Sequence, residues 1–375
     1  MKRVLQIMGG LNRGGLETFV MNVYRELDRD DIQFDFLVNT SGGDYHDEIE
    51  RMGGRVFVLP PRNMGFINHK KALDNFFKQH ANTYIACHAH ISSLSSLSAL
   101  EYAYKYGIPV RVMHSHSSSI SKSVKFNLLH KLLHYLNKRK VKRIANVYLG
   151  CSDKALDWLY NYSGVRSNAS IINNGINVSK YVFSQMIREK IRKEFSIPLT
   201  NIVLGHVGRF IPLKNQKYLI DVLKEMISLG VDTTLMLVGD GDVRLEVEKY
   251  AKEQKLFDKV IFTGVRSDVN DLMQAMDIFA MPSWFEGLPV SLVEAQASGL
   301  YVVASDTISR DSKLCDDFVF LSIQDSAKVW ANTIINAVVD RKRPNNQQLI
   351  ISKGFDSRSI ANDLMTKYNG IINER

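Results

Sequence analysis

Residues 278–298 read IFAMPSWFEGLPVSLVEAQAS and contain a strand, a loop and a helix in immediate succession. The apolar run Ile278–Met281 predicts a buried strand. Pro289 fits the first turn of a helix, because its missing N–H would have no partner there, and Gly299 predicts the end of that helix. A buried strand that leads through a short loop into a helix is the repeating unit of a parallel α/β sheet.

The same alternation of strands and helices occurs in both halves of the chain. Apolar runs predict strands in the first half at Val4–Met8, Gln33–Val38, Val56–Leu59, Tyr84–His88 and Val110–Met113. Further runs predict strands in the second half at Asn201–Val207, Thr234–Val238, Val260–Thr263, Ile278–Met281 and Tyr301–Ala304. The pattern predicts an α/β protein with two doubly wound, Rossmann-like domains that face a cleft.

The length of 375 residues suits two domains of about 150–200 residues each. A polar segment after Asn173 predicts a linker near 174–200. We therefore expect an N-terminal domain over 1–175, a C-terminal domain over 176–355 and a last helix, 356–375, that packs back toward the N-terminal domain. Ligands of open parallel sheets bind beyond the carboxyl ends of the strands, so the loops after strands are the expected site.

Composition excludes several classes of protein. Hydrophobic residues make up 45% and charged residues 23% of the chain, which are values of an ordinary globular protein. Three cysteines, Cys87, Cys151 and Cys315, lie far apart, which fits a reducing cytoplasm and excludes zinc-finger spacing. No apolar run reaches the roughly 18 residues of a membrane helix, and Gly9-Gly10 after the first apolar run argues against a signal peptide.

The net charge of +9 is concentrated in one segment. Residues 102–152 contain no Asp or Glu, and within them 122–143 reads KSVKFNLLHKLLHYLNKRKVKR. Phe126, Leu129, Leu133 and Leu136 recur at helical spacing among the cations, which predicts an amphipathic helix on an anionic membrane surface. The alternative is a helix packed on the core with a solvated basic face. A nucleic-acid-binding protein is disfavoured, because the segment has no recognition motif or aromatic stacking platform.

Two carboxylates flank the predicted helix start in the opening stretch. Backbone amides near Leu288–Ser291 would form an anion site, because the start of a helix carries free N–H groups and positive dipole. Glu286 lies in the loop, and Glu294 lies in an apolar helix where a carboxylate needs a partner such as a ribose hydroxyl. The alternative is a capped helix with a solvent-facing Glu294.

Two cations follow an earlier strand in the stretch HVGRFIPLKN. Arg209 and Lys214 are five positions apart, and both types of side chain bind phosphate oxygens. Together with the helix start they would complete a diphosphate clamp. In the stretch LVGDGDVRLE, Asp240-Gly241-Asp242 is better explained by a turn and helix cap than by a metal site.

The first loop contains glycines without the spacing of a dinucleotide fingerprint. Gly14 and Gly15 precede the first helix but the GxGxxG pattern is absent, so binding of NAD is disfavoured. His114 and His116 lie at the end of another strand, and no third metal ligand is evident beside them, since the stretch CHAH is the end of a separate strand. We therefore expect no metal site.

Taken together, GRFIPLKN, LVGDGDVRLE, FTGVRSDV and PSWFEGLPVSLVEAQASG, in that order, resemble glycosyltransferase family 4, a retaining family of the GT-B fold. GGLNRGGLE, VMHSHS and IINNGINVSKY support the resemblance along nearly the whole chain, and SDTISRDSKL resembles its exopolysaccharide and capsule branch. Where the family often has Gly-Phe-Gly after the first Glu, this chain has Gly-Leu-Pro, which bears on the fit of the donor sugar.

The resemblance implies that Arg209 and Lys214 bind the diphosphate of a nucleotide-sugar, Glu286 contacts the sugar, and Glu294 binds the ribose hydroxyls. The donor-binding residues that it implies are Gly14, Gly15, Arg209, Lys214, Val265, Arg266, Glu286, Gly287, Leu288, Pro289, Val290 and Glu294. Val265 and Arg266 would hold the base largely through their backbone.

The resemblance also implies a catalytic set and a reaction. The set is His116 (or His114 in the neighbouring register), Glu286, Arg209 and Lys214. The implied reaction is metal-independent, retaining transfer from a UDP-sugar to a glycan or lipid-diphosphate-linked acceptor, without a cofactor, in the cytoplasm or on the inner face of the membrane. A nucleotide-sugar epimerase of the same fold is the alternative enzyme, and an anionic-surface binding protein the alternative of another class.

Overall fold

The computed structural model describes residues 1–117, 127–338 and 341–370. Its strands are β1 (Lys2–Ile7), β2 (Ile32–Val38), β3 (Val56–Val58), β4 (Tyr84–Ile91), β5 (Val110–Ser115), β6 (Val147–Gly150), β7 (Ser170–Ile171), β8 (Ile202–Val207), β9 (Thr233–Val238), β10 (Val260–Gly264), β11 (Ile278–Met281), β12 (Tyr301–Ser305) and β13 (Phe318–Leu321).

The α-helices alternate with these strands along the chain. They are α1 (Gly15–Glu26), α2 (His46–Arg51), α3 (Phe66–His80), α4 (Ser98–Lys105), α5 (Asn127–Asn137), α6 (Val141–Ile144), α7 (Asp153–Tyr160), α8 (Gln185–Glu194), α9 (Gln216–Ser228), α10 (Arg244–Glu253), α11 (Val269–Ala275), α12 (Val290–Ala297), α13 (Ala327–Val338), α14 (Gln347–Ser352) and α15 (Ser357–Gly370).

The chain divides into two compact units. Unit 1 comprises Met1–Gly175 and Asp356–Arg375, and unit 2 comprises Ile176–Phe355. Unit 1 contains a parallel sheet in the order β3-β2-β1-β4-β5-β6-β7, and unit 2 a parallel sheet in the order β10-β9-β8-β11-β12-β13. The predicted α/β class with two doubly wound sheets is therefore confirmed.

Each sheet is covered by apolar side chains on both faces, as the near-continuous apolar strands require. In unit 1, one of the two cores includes Phe19 and Tyr24 of α1 together with Leu364 and Tyr368 of α15. The last described helix thus packs within unit 1, although unit 2 separates it in sequence from the rest of that unit.

The predicted linker near 174–200 is wrong for most of its length, because unit 2 begins at Ile176 and α8 packs against α11. Arg192 of α8 is fully buried and donates to the carbonyl oxygens of Pro198, Leu199 and Asn201 and to a carboxylate oxygen of Asp277 at 2.6 Å. The polar composition of α8 predicted a linker, whereas in the structure the buried Arg192 binds backbone carbonyl oxygens and a carboxylate inside unit 2.

The predicted helix over 122–143 is divided in the structure. α5 covers Asn127–Asn137, a 3₁₀ turn follows at Lys138–Lys140, and α6 ends at Ile144. The predicted positions Lys122, Lys125 and Phe126 lie outside the described residues.

Candidate active site

Lys214 and Glu286 meet at the point where the strand order of the unit 2 sheet reverses. Lys214 ends the loop after β8, Glu286 lies in the loop after β11, and these two strands are neighbours. The Lys214 Nζ lies 2.7 Å from Glu286 Oε1, with the two side chains only 14% and 18% exposed. The backbone N–H of Trp284 donates to the carbonyl oxygen of Leu213 at 2.9 Å and ties the loops together. Reversal points of this kind are where open α/β sheets bind ligands.

Arg209, the other predicted clamp residue, is held much less firmly. Its side chain is 69% exposed, and its nearest carboxylate is Asp242 at 3.8 Å. Gln216 fixes only the backbone here, since its Nε2 donates to the Arg209 carbonyl oxygen at 3.0 Å. The predicted clamp therefore combines one largely buried, paired cation with one exposed cation.

The loop after β9 packs against the loop after β8 through glycine. A Cβ added to Gly239 would lie 2.2 Å from the Gly208 carbonyl oxygen, and one added to Gly241 would lie 2.4 Å from that of Phe210. Asp240 accepts a hydrogen bond from the Gly241 N–H at 2.7 Å and pairs with Arg244 at 3.4 Å. These contacts account for the Asp-Gly-Asp stretch as a turn at the start of α10.

Glu294 of α12 has a partner within unit 2. The Tyr181 hydroxyl donates to Glu294 Oε1 at 2.6 Å. Burial raises the pKa of the Glu294 carboxyl, and the Tyr181 hydrogen bond lowers it in part. Tyr181 lies in the segment predicted as a linker, so sequence analysis missed it. A carboxylate has acceptor capacity beyond one hydrogen bond, and this leaves room for a ligand hydroxyl.

The predicted donor-binding residues Gly287–Val290, and the predicted amides near Leu288–Ser291, lie where α12 begins. Pro289 precedes the first helical residue, Val290, and no side chain caps this helix start. The Glu286 carbonyl oxygen accepts a hydrogen bond from the Ser309 N–H at 3.2 Å, which anchors the loop from the other side. The predicted anion site of Gly287, Leu288, Pro289 and Val290 is thus adjacent in sequence to the Lys214–Glu286 pair.

Val265 and Arg266 follow β10, as expected for the loop predicted to hold a base. Val265 is exposed. Arg266 forms ion pairs with Asp268 at 2.7 Å and Glu194 at 3.1 Å, and these carboxylates raise the pKa of its guanidinium. With the Arg266 side chain engaged in this way, the backbone is the part of the pair available to a ligand.

His206 of β8 begins the stretch HVGRFIPLKN, and no role was predicted for it. Its Nδ1 lies 2.9 Å from the Ala280 carbonyl oxygen, and its buried Nε2 has no partner among the described residues. Burial lowers the pKa of His206 to about 4, so the ring is neutral. A Cβ at Gly208 would lie 3.1 Å from this Nε2, so Gly208 leaves room beside it. A histidine within the apolar strand sequence IVLGHV could have indicated a buried polar residue at this position.

In unit 1, Gly14 and Gly15 form the junction between the first loop and α1. Gly14 is the residue that precedes the helix, and Gly15 is its first residue. A Cβ at Gly15 would meet no atom within 4 Å, whereas one at Gly14 would meet only the carboxylate end of Glu17. Packing within unit 1 would therefore allow a side chain at position 15, and the space beside Gly15 is open to a ligand.

His116 belongs to a cluster of four histidines, which we call the histidine cluster: His88, His90, His114 and His116. The parallel register places His90 of β4 opposite His114 of β5. Alternate residues of a strand point to the same face, so all four rings share one face of the sheet. The expectation that no further ligand-type residue lies beside His114 and His116 was wrong, because CHAH belongs to the adjacent strand.

Hydrogen bonds divide the histidine cluster into two chains. One runs from the Tyr368 hydroxyl to His88 Nδ1 (2.7 Å) and from His88 Nε2 to His114 Nδ1 (3.1 Å). The other links Gln6 Oε1 to His90 Nε2 (2.8 Å) and His90 Nδ1 to His116 Nε2 (2.9 Å). Each chain ends in a buried ring nitrogen without a partner among the described residues, His114 Nε2 or His116 Nδ1.

All four rings of the histidine cluster are neutral near pH 7. Burial, and after it His116, lower the pKa of His88 to about 3, and burial alone lowers the pKa of His116 to about 3. The pKa values of His90 and His114 are also well below the ordinary range, again mainly because of burial.

The histidine cluster also has the donor type that transition metals prefer. Ring nitrogens of His88, His90 and His114 lie within 4.8 Å of one another. All ring nitrogens of these three residues except His114 Nε2 have hydrogen-bond partners. These nitrogens therefore pair with other rings, with Tyr368 and with Gln6, and the expectation of no metal site stays a prediction.

A cavity of about 210 Å³ lies beside the same sheet in unit 1. Gly9, Asn39 and Ile91, which line it, come at the carboxyl ends of β1, β2 and β4. Leucines make much of the rest of the lining apolar, and Arg62 and His90 contribute polar groups. It has the composition of a site for a small, partly apolar ligand.

Two family models together match most of the chain. The model described as Glycosyltransferase Family 4 matches residues 13–180, and the model described as Glycosyl transferases group 1 matches residues 187–350. These ranges cover the candidate residues of unit 1 and unit 2 respectively.

Full-length relatives are similar to this chain. Putative glycosyltransferase EpsF of Bacillus subtilis is 33% identical, over 98% of this chain and 96% of the relative. UDP-Gal:alpha-D-GlcNAc-diphosphoundecaprenol alpha-1,3-galactosyltransferase of Escherichia coli is 23% identical, over 90% and 87%. Capsular polysaccharide biosynthesis glycosyltransferase CapH of Staphylococcus aureus is 27% identical, over 92% of each.

Among solved structures, that of Anabaena Alr3699/HepE in complex with UDP-glucose has the same fold, with a TM-score of 0.76 and 21% identity over 99% of this chain and 100% of the other. The resemblance that the sequence motifs indicated is therefore confirmed along the whole chain: the protein has the GT-B fold and belongs to glycosyltransferase family 4.

Proposed function

We propose that this glycosyltransferase transfers a sugar from a UDP-sugar to a glycan or lipid-diphosphate-linked glycan, with retention and without a metal ion, in surface polysaccharide synthesis. The observation that carries the proposal is the Lys214–Glu286 pair at the reversal point of the unit 2 sheet, beside the start of α12. It sets a cation for the phosphates and a carboxylate for the sugar next to a row of backbone amides.

The charge in this site suits a departing nucleoside diphosphate. As the bond between the sugar C1 and the phosphate oxygen breaks, negative charge grows on the diphosphate. Lys214, Arg209 and the backbone N–H groups of Gly287, Leu288 and Val290 stabilise that charge, and stabilisation that is stronger in the transition state than in the ground state accelerates the step. The acceptor hydroxyl oxygen bonds to C1 on the face that the phosphate leaves, and its proton passes to the leaving phosphate.

The remaining residues hold the donor. Glu294, positioned by Tyr181, accepts hydrogen bonds from the ribose hydroxyls. Glu286 contacts the donor sugar, and the backbone of Val265 and Arg266 holds the base. In unit 1, the loop at Gly14 and Gly15 approaches the phosphates, and His116 contacts the donor sugar.

The relatives support the choice of substrates. The name of the Escherichia coli relative specifies a UDP-linked sugar and an acceptor on diphosphoundecaprenol, that of the Staphylococcus aureus relative capsular polysaccharide biosynthesis, and the Anabaena structure contains UDP-glucose. In this chain, we assign the acceptor to the cavity lined by Gly9, Asn39 and Arg62. The guanidinium of Arg62 suits a phosphate group, and the lining leucines suit an apolar group next to it.

We assign α5 to the membrane surface. Polar side chains hold this helix on unit 1: buried His134 bonds to the Leu94 N–H and the Trp158 carbonyl oxygen, and buried Lys138 donates to the carbonyl oxygens of Trp158 and Asn161. Five of its six apolar side chains, in contrast, are each more than half exposed, and only Leu133 is half-buried; the five are Leu128, Leu129, Leu132, Tyr135 and Leu136.

This arrangement favours the membrane hypothesis over a helix packed on the core. An exposed row of leucines next to the exposed cations Arg139, Lys142 and Arg143 suits insertion at an anionic surface. Along the described ranges, no helix has both the length and the apolar character needed to span a bilayer. From the exposed leucines and cations of this region we propose peripheral attachment to the inner face of the membrane.

A donor screen tests the proposed function. Purified protein is incubated with a panel of nucleotide-sugars, and nucleotide release, thermal shift and the anomeric configuration of the product are measured. We expect stabilisation by UDP-sugars and release of UDP that increases with a lipid-diphosphate glycan acceptor. Conversion of the donor to an epimer without any acceptor would support the epimerase instead, and no stabilisation by any nucleotide-sugar would overturn the proposal.

A further inference from the structure

Gln6 determines which atoms donate and which accept in the hydrogen-bonded chain Gln6–His90–His116. Gln6 lies on β1, its side chain is buried, and its Oε1 lies 2.8 Å from His90 Nε2. An amide oxygen can only accept a hydrogen bond. His90 Nε2 must therefore carry the proton and donate it to Gln6.

The direction passes on to His116 because His90 is neutral. A neutral imidazole has one N–H and one lone pair, so His90 Nδ1 must accept. Its partner is His116 Nε2 at 2.9 Å, which must then be the donor. His116 Nδ1 is left with a lone pair, and this buried atom has no partner among the described residues.

From this geometry we infer that Gln6 and His90 are positioning residues that hold His116 in the Nε2–H tautomer, so that its Nδ1 accepts a hydrogen bond from a substrate hydroxyl. The tautomer follows from unit 1 alone, whereas the use of Nδ1 on the donor sugar rests on the proposed function. The chemical class that this nitrogen selects is a hydroxyl donor, rather than a carbonyl or phosphate oxygen, which could only accept.

His134 provides an internal reference for the same measurement. Its Nδ1 accepts from the Leu94 backbone N–H, and an amide N–H can only donate. Its Nε2 must therefore carry the proton, which it donates to the Trp158 carbonyl oxygen. His134 is outside the histidine cluster, so its tautomer should be the same in every variant of Gln6.

The test is long-range ¹H–¹⁵N correlation NMR of the full chain labelled at histidine, near neutral pH. We expect His116 and His134 to give the same pattern, with the proton on Nε2 and the lone pair on Nδ1. A proton on His116 Nδ1 in the unaltered protein would overturn the inference without any reference to activity, since it would require the Gln6 amide to present its nitrogen to His90.

Two variants separate a positioning role from a packing role. Gln6→Glu keeps an accepting oxygen and should retain the Nε2–H tautomer of His116, whereas Gln6→Met keeps the approximate shape and should give a mixture. We expect turnover of Gln6→Met to fall about tenfold while the affinity for UDP is unchanged. Identical His116 spectra in Gln6→Met and the unaltered protein would overturn the inference. Identical turnover with an altered tautomer would instead contradict the proposed contact of His116 with the sugar.

Discussion

Lys214 and Glu286 form an ion pair, with 2.7 Å between Nζ and Oε1, that joins the loops after two neighbouring strands. The loops come from positions 72 residues apart in the sequence, and the pair exists because β8 and β11 are adjacent in the sheet. Each of these two predicted site residues neutralises the charge of the other.

Lys214→Ala and Arg209→Ala should each reduce turnover by something on the order of 10²-fold, because each removes a cation from the developing diphosphate charge. Their effects on stability should differ. Lys214→Ala leaves a largely buried Glu286 without its partner and should cost about 2 kcal/mol in the free energy of unfolding, whereas exposed Arg209 should cost little. Steady-state kinetics and denaturation measure the two effects.

Lys217→Ala is the matched control for these variants, because Lys217 is an exposed cation on α9 that pairs with Glu246. Its turnover should be close to that of the unaltered protein. If Lys214→Ala and Lys217→Ala are equally active, the diphosphate clamp is misplaced.

Glu294→Ala should weaken binding of free UDP about tenfold, because a ribose contact is lost. Glu286→Ala should lower turnover but leave UDP affinity nearly unchanged, since we assign this carboxylate to the donor sugar. Calorimetric titration with UDP distinguishes the two, and equal losses of UDP affinity in both variants would contradict the division of roles.

Tyr181→Phe removes the hydrogen bond that lowers the pKa of the Glu294 carboxyl, while the burial that raises this pKa remains. The variant should therefore protonate Glu294 at a higher pH than the unaltered protein does. We expect its UDP affinity to fall more steeply on acidification below neutral pH. Parallel pH profiles for the two proteins would show that Tyr181 has no influence on ligand binding through Glu294.

Acid should destabilise unit 1 below about pH 6.5. His88 has a pKa near 3 in the folded chain and an ordinary value of 6.5, so below pH 6.5 the unfolded chain gains a proton that the folded chain does not. Its stabilising contribution is complete above 6.5 and is lost progressively toward pH 3. From pH 7.5 to 5.5, one such residue costs about 1.4 kcal/mol.

Hydrogen exchange of peptides that contain β4 and β5 measures this loss, after correction for intrinsic exchange rates. Unit 2 serves as the internal comparison and should lose less, because it has one buried histidine of lowered pKa, His206 on β8, against the four of the histidine cluster. Equal protection of β4 and β5 at pH 7.5 and 5.5 would show that the histidine cluster is not held neutral.

The membrane assignment predicts salt-sensitive binding to anionic vesicles. Leu132→Ser with Leu136→Ser should abolish sedimentation with the vesicles at low salt, whereas Leu245→Ser, which alters an exposed leucine of α10 in unit 2, should not. Neutralising Arg139, Lys142 and Arg143 should weaken binding, because each cation near an anionic leaflet contributes about 1 kcal/mol. Lys138 is buried and Lys140 pairs with Glu101, so neither suits this test. Failure of the unaltered protein to sediment would contradict the assignment.

Activity should persist in EDTA, because the proposed mechanism assigns the diphosphate charge to Lys214, Arg209 and backbone amides rather than to a metal ion. Initial rates with and without the chelator, at a fixed donor concentration, check this. Loss of activity in EDTA that is restored by adding a divalent metal would refute the metal-free mechanism.

The parallel sheets could be predicted because their strands are short, apolar and followed by helices at regular intervals. Ile278–Met281 was predicted with the bounds that the structure has. The polar segment around α8 was misinterpreted because local composition does not reveal that Arg192 finds backbone carbonyl partners inside unit 2. β13 was not predicted at all, although its Phe318–Leu321 run is apolar.

The candidate site was predictable as a set of residue types after strands, but its pairings were not. Spacing along the chain indicated Glu294, Glu286 and Lys214 one by one. Lys214 and Glu286 pair because β8 and β11 are neighbours in the sheet, and Tyr181 binds Glu294 because the 3₁₀ turn Val178–Tyr181 packs against α12. The histidine cluster was missed for the same reason. The residues between His90 and His114 do not reveal that β4 and β5 are neighbours or that His90 pairs with His114 in the sheet.

The return of α15 to unit 1 has a consequence for how the chain is made. Residues 1–175 are synthesised first, unit 2 follows, and Ser357–Gly370 are synthesised only after unit 2. Until then the nascent first unit lacks Leu364 and Tyr368 from its core and the hydroxyl that binds His88. Unit 2 is contiguous in sequence, so all of its residues are synthesised before unit 1 has the full set of side chains of its core.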